Sequence, residues 1–134
     1  APHTLQEKNN PYLTAPSGLP LVQHSLNMML DFYHQQKISL EKIIEKMCNA
    51  PAECFKIKNR GYLREGYYAD IAIVDIHQRW SISTENILYK CAWSPLENIS
   101  VYGKINQTFV NGHLVYNKGI FDESKKGHRL LFSV

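Results

Sequence analysis

The spacing of the hydrophobic residues changes near Gly61, and this change constrains the chain to a helical part followed by a β-rich part. Upstream, Val22, Leu26, Met29, Leu30 and Tyr33 recur with helical spacing and predict a helix over about 19–36, with Pro20 in its first turn. A second helix is expected after Ser39, a suitable N-cap, with Leu40, Ile43, Ile44 and Met47 turned inward. Glu41, Lys42, Glu45 and Lys46 would form its solvated face. Asn49 is placed to cap a third, short helix ending near Phe55, with Pro51 tolerated in its first turn. Residues 1–18 read as a polar loop punctuated by Pro11, Pro16 and Gly18.

Downstream the pattern is extended. The β-branched run at 69–76 predicts a buried strand, 84–89 a helical turn, and 100–110 a second strand. Asn111-Gly112 is a strong two-residue hairpin signal, with Leu114-Val115-Tyr116 as the returning strand up to Lys118-Gly119. The tail at 122–129 is polar and expected to be loose, with 130–132 docking. The helices leave an apolar stripe without an evident partner in this chain, so an upstream segment is expected to cover it. Ala1-Pro2-His3 lacks an initiator Met and reads as the middle of a longer polypeptide.

Composition removes several function classes. The 134 residues carry a formal net charge of +3. Their densest basic groups (Lys56, Lys58, Arg60 and Lys125, Lys126, Arg129) are short and lack an aromatic platform, which favours a solvated surface over nucleic acid. No apolar run approaches membrane-spanning length, and no signal-peptide pattern is seen. Cys48, Cys54 and Cys91 are an odd set without C-x-x-C spacing, so reduced thiols and a cytoplasmic location are expected. On that reading the N-x-S/T matches at Asn98 and Asn106 are chance.

Three segments carry a resemblance. Ala1-Pro2-His3 resembles the close of the Asp-x-Ala-Pro-His signature at the last barrel strand of dihydroorotases, and Ala15-Pro16-Ser17-Gly18 their substrate-covering loop. Asn49–Phe55, followed by Gly61-Tyr62-Leu63-Arg64-Glu65-Gly66-Tyr67-Tyr68-Ala69-Asp70, is similar to a hallmark of the wider amidohydrolase superfamily, shared with hydantoinases, allantoinases and dihydropyrimidinases. Lys90–Pro95 and Val110–Tyr116 extend the match, which fades after Gly119. The sequence departs from many relatives at Leu21 and Gln23, where they carry Gly and Glu; altered packing is expected there before altered chemistry.

The resemblance implies an α/β fold: the C-terminal end of a (β/α)₈ TIM barrel over 1–58 (last loop and outer helices) and, over 59–134, the C-terminal share of a small β-sandwich. It implies a parent that reversibly cyclises N-carbamoyl-L-aspartate to (S)-dihydroorotate in pyrimidine biosynthesis. A binuclear Zn²⁺ site would acidify water and polarise the amide carbonyl there. The family's metal ligands and catalytic aspartate would fall upstream of Ala1, so no catalytic residue and no metal ligand is expected in this chain. The substrate-binding candidates are His3, whose imidazole N–H suits a carboxylate, and Ser17 and Gly18, whose backbone would approach the ring.

The implied partners are that small-molecule substrate and the upstream part of the same protein; dimers are common in the family, and neither nucleic acid nor membrane is expected. Two alternatives stand: an allantoinase or hydantoinase, and a non-catalytic scaffold subunit of dihydroorotase type. The remaining chemical side chains have plainer readings. His24 and His34 are surface or packing residues, His77 and His113 lie beside strands, and Cys48 and Cys54 are core thiols without a base. Trp93 is core or interface, and Asp70 and Asp75 belong to a turn and a strand end.

Overall fold

A computed structural model describes residues 3–133, so Ala1 and Pro2 of the Ala-Pro-His element lie outside the described residues. Four helices precede one antiparallel sheet: α1 (Leu5–Lys8), α2 (Ser25–His34), α3 (Leu40–Ile44) and α4 (Ala50–Cys54), then β1 (Ile71–Ser81), β2 (Ser100–Val110), β3 (His113–Asn117) and β4 (Ile120–Phe121). The strand order is β1-β2-β3-β4. This mixture of helical segment and sheet agrees with the expected class.

The helical part differs from expectation in three places. The loop at 1–18 contains α1, nucleated by a capping box in which Thr4 and Glu7 satisfy each other's backbone N–H groups. Helix α2 starts six residues later than the hydrophobic pattern suggests. Val22–His24 form a 3₁₀ turn and Pro20 precedes it, because the Gln23 backbone N–H is drawn to the Tyr89 hydroxyl at 2.8 Å. Val22 is consequently exposed instead of joining the stripe.

Asn49 caps nothing. The chain runs helically from α3 through a π turn at Glu45–Asn49 into α4, and the Asn49 amide donates to the Gly61 carbonyl at 2.6 Å. Pro51 lacks an N–H and its ring crowds the preceding turn, so widening that turn lets the helix continue. Ser39 caps α3 as expected, accepting from the Lys42 N–H at 3.2 Å, but of the predicted inward positions Ile43 is buried while Ile44 and Met47 are exposed.

Helices α2 and α4 end alike. Gln36 and Lys56 adopt left-handed backbone, with φ of 58° and 52°. Each is followed by a return hydrogen bond into the last turn, Lys37 N–H to Phe32 O at 2.9 Å and Ile57 N–H to Ala52 O at 2.8 Å. Both are Schellman closures made without glycine.

One residue of the α2 stripe, Leu30, has a partner within the chain, while Leu26, Met29 and Tyr33 stay partly exposed. Leu30 is buried directly over Gly103 of β2, where a side chain on the glycine would collide with it. The sheet accommodates the helix by a break in its ladder: Asp75 pairs with Lys104 and Arg79 with Tyr102, leaving 76–78 as a bulge. Side chains replace the missing ladder bonds. Asp31 accepts from the Tyr102 N–H at 2.8 Å, and His34 Nε2 meets the Ile76 carbonyl at 2.7 Å. The Asn27 amide and the Trp80 indole both donate to the Gly103 carbonyl, the latter at 3.0 Å. Asp75 receives the N–H groups of His77 and Gln78 at 3.0 and 3.1 Å.

Strand β2 spans the expected residues, and Asn111 and Gly112 turn the hairpin with φ of 51° and 79°. Strand β1 starts two residues late and runs five residues beyond its predicted end. None of its residues is fully buried, contrary to the expected buried strand, because it is an edge of the sheet paired on one side by β2. The docking expected at 130–132 occurs, with Phe132 bridging to Ile57 and the Lys58 N–H donating to the Leu131 carbonyl at 2.8 Å.

Candidate functional site

His3 is held from both ends of the chain. Its carbonyl accepts from the Trp93 indole N–H at 2.7 Å, although the two residues are 90 positions apart. The next backbone N–H, of Thr4, donates to Glu7 Oε2 at 2.6 Å, and the same carboxylate oxygen lies 3.9 Å from His3 Nδ1. The Glu7 carboxyl is held below its ordinary range, first by the Thr4 backbone N–H and then by the Thr4 hydroxyl. The His3 ring is about one-third exposed, at 34%. At 3.9 Å Glu7 faces the Nδ1 edge of the ring without hydrogen-bonding it.

Ser17 and Gly18 are both exposed in non-repetitive backbone, and Gly18 has φ +93° with open space where a side chain would stand. Helix α1 connects them to His3. Glu7 faces the histidine at one end, while Lys8 Nζ donates to the Pro16 carbonyl beside Ser17 at the other.

Trp93 was not among the site residues that the sequence suggested. The available signal was an indole N–H, which normally needs a partner when its ring packs. Trp93 stands on a pinned segment. Ser94 is buried and accepts from the Leu96 N–H at 3.2 Å, while the Asn98 N–H donates to the Ile82 carbonyl at 2.8 Å. Gln23 fastens the same segment to the helical part, donating to Asn86 O and accepting from the Leu88 N–H, both at 2.8 Å. In this structure Gln23 is thus a hydrogen-bonding tie between the helical part and residues 86–89.

The other titratable side chains lie elsewhere. His24 is fully buried between Trp80 and Tyr89, its ring nitrogens have no hydrogen-bond partner among the described residues, and burial lowers its pKa. His34 stacks on Tyr102 with centroids 3.9 Å apart, so both histidines are packing residues. His113 pairs with Asp122 at 3.0 Å.

Several plainer readings need correction. Cys48 and Cys54 are exposed thiols, not core ones: Cys48 lies in the π turn, which has no buried residue, and Cys54 ends α4, whose buried residue is Ala52. Arg60 is not a solvated surface charge. Its guanidinium pairs with Asp70 and lies 4.3 Å from the Tyr68 ring centre, an aromatic platform that composition did not reveal. Asp70 does sit at a turn as expected, receiving the Asn111 N–H at 2.8 Å.

Among the described residues no group of three or more His, Cys, Asp or Glu side chains could hold a metal ion, and no helix is long and apolar enough to cross a membrane. The residues present therefore do not fit a metal centre of their own. The arrangement can offer an imidazole and a loop backbone to an anionic or polar ligand.

Comparison with known proteins agrees with the motif-based resemblance. Curated relatives include dihydroorotase from Pyrococcus horikoshii, 34% identical over 131 residues, covering 98% of this chain and 30% of that protein. Dihydroorotase from Clostridioides difficile is 36% identical over 118 residues, covering 87% of the chain and 27% of the relative. The chain thus spans about 30% of the length of the curated relatives it matches.

Among solved structures, L-hydantoinase (dihydropyrimidinase) from Arthrobacter aurescens superposes with TM-score 0.73 at 31% identity, over 81% of this chain and 25% of that one. D-hydantoinase (dihydropyrimidinase) from Thermus sp. reaches 0.82 over 90% of this chain and 28% of that one; at 17% identity it speaks to the fold alone. The sequence model of the amidohydrolase family matches residues 17–115, most of the chain, and the chain belongs to that family.

Proposed function

We propose that this chain is the C-terminal part of a zinc-dependent dihydroorotase, whose whole protein interconverts N-carbamoyl-L-aspartate and (S)-dihydroorotate plus water. The observation that carries this reading is the similarity to curated dihydroorotases over 98% of the chain, which takes in the Pro16-Ser17-Gly18 loop. In this reading residues 1–58 end the barrel and 59–134 contribute to the β-sandwich. The protein works in the cytoplasm in pyrimidine synthesis, the upstream part of the same polypeptide is its first partner, and a second copy completes a homodimer.

The chemistry divides accordingly. A zinc centre held by the upstream part would supply the activation of water at neutral pH. This chain contributes recognition. His3 donates an imidazole N–H to the substrate carboxylate, with Glu7 and the capped turn of α1 restricting the ring. Ser17 and Gly18 bring backbone polar groups to the ring of the substrate, and the bare Cα of Gly18 allows close approach. The exposure of both residues supports this use.

The second reading is a hydantoinase-type enzyme, favoured by the 31% identity to the Arthrobacter aurescens structure. The test is to assay the full-length protein, loaded with Zn²⁺, against dihydroorotate, allantoin and a hydantoin beside a His3→Ala variant. Selective opening of dihydroorotate with a large loss in the variant is expected. Preference for another ring would replace the substrate and keep the family. No turnover by a folded, metal-loaded protein would favour the scaffold alternative.

A further inference from the structure

The His3–Thr4 peptide is fixed on both of its polar faces. Its carbonyl receives the Trp93 indole N–H at 2.7 Å, at the short end for an N–H···O bond, and its N–H is taken by Glu7 at 2.6 Å. Because a peptide unit is planar, clamping both groups fixes the orientation of the plane and with it the position of the His3 Cα and its Cα–C bond, so that only rotation about that bond is left to turn the side chain. The Glu7 clamp is local, supplied by a four-residue helix. The Trp93 clamp is different in kind, since it comes from a segment fastened to β1 through Ile82 and to the helical part through Gln23. Without it the first turn could swing as a unit, carrying the histidine and its capping carboxylate together.

We infer that Trp93 is a positioning residue for His3, acting through the main chain to hold the imidazole where it meets a substrate carboxylate. This rests on the reading of His3 given above. Trp93 need not touch the ligand. It supplies preorganisation, and displacement of a binding group by about 1 Å is enough to weaken its interactions severely.

The experiment is a double-mutant cycle in the full-length, zinc-loaded protein, with Trp93→Phe, His3→Ala and the double variant assayed on dihydroorotate. Trp93→Phe keeps most of the ring and removes the N–H donor. It should raise KM about five- to tenfold, the worth of one hydrogen bond of ordinary strength, with kcat falling less than twofold. In the His3→Ala background it should add nothing further.

A His3→Ala variant with raised KM, combined with a Trp93→Phe variant that leaves KM alone or adds its full effect to His3→Ala, would overturn the role of Trp93 and leave the reading of His3 intact. A His3→Ala variant with wild-type KM would overturn that reading, and the inference with it. Should Trp93→Phe fail to fold, solvent exchange of the Trp93 indole N–H by NMR in the unaltered protein decides. Slow exchange that shifts on dihydroorotate binding is expected, and exchange at the rate of a free indole would overturn the inference.

Discussion

The junction of α2 with the sheet and the loop at 3–18 satisfy their main-chain polar groups in opposite ways. At the junction the partners come from distant sequence: Asn27, Asp31 and His34 reach across to Gly103, Tyr102 and Ile76, and Trp80 joins them. In the loop the partners are neighbours. Glu7 serves Thr4, Pro11 serves Thr14 and Ala15, and Lys8 reaches Pro16. Among the described residues the loop's one distant hydrogen bond is that from Trp93 to His3. The junction is therefore specified by tertiary structure, and the loop by a local code with a single long-range correction. Stability belongs to the first region and ligand contact, as proposed here, to the second.

That contrast can be broken at its strong end first. Gly103→Ala should cost about 3 kcal/mol or more, because the new methyl group meets Leu30 and the backbone stays at φ +82°. Denaturant unfolding of the full-length protein measures this, and a loss below about 1 kcal/mol would show the junction to be plastic. Asp31→Ala should cost about 2 kcal/mol, since it leaves the Tyr102 N–H without its acceptor in a partly buried place.

A smaller, graded effect should come from pH. His24 is buried with its pKa lowered by desolvation, so the unfolded chain binds its proton more readily than the folded one. Its contribution to stability is complete above the unfolded value of about 6.5 and declines as pH falls from there toward the lowered folded value. The urea midpoint should therefore fall between pH 7 and 5 more steeply in the wild type than in His24→Leu; parallel slopes would refute this.

Gln36→Gly and Lys56→Gly should each stabilise by about 0.5–1 kcal/mol, by removing a side chain from a left-handed helix terminus, read as a rise in melting temperature. Smallest of all, Ser17→Ala should change stability by less than about 0.5 kcal/mol. A larger loss on thermal unfolding would mean the loop carries structural weight.

The same contrast governs what the sequence disclosed. Local signals were legible: Ser39 as a cap, Asn111-Gly112 as a hairpin, the span of β2, and the tail docking near Phe132. Thr4-x-x-Glu7 was equally legible as a capping box but was obscured by the Pro- and Gly-rich surroundings that suggested only a loop. The late start of α2 was not readable, because it depends on Tyr89 claiming the Gln23 N–H from 66 residues away. Neither was the bulge at 76–78, since its unpaired groups are answered by side chains of a helix whose polar residues look merely solvated in one dimension. At the candidate site His3, Ser17 and Gly18 followed from motif resemblance. Trp93 did not, because hydrogen bonding across 90 residues leaves no periodic trace.

The distance between Trp93 and His3 also has a meaning in time. Translation proceeds from the histidine toward the tryptophan, and at about 5–20 residues per second the interval between them lasts on the order of five to twenty seconds. During that interval a nascent chain can already form the Thr4–Glu7 capping box, which needs only its own neighbours, but the indole that fixes the histidine has not yet been made. The end of the chain proposed to meet the ligand is thus finished late in synthesis, by a residue whose arrival also signals that β1 is complete.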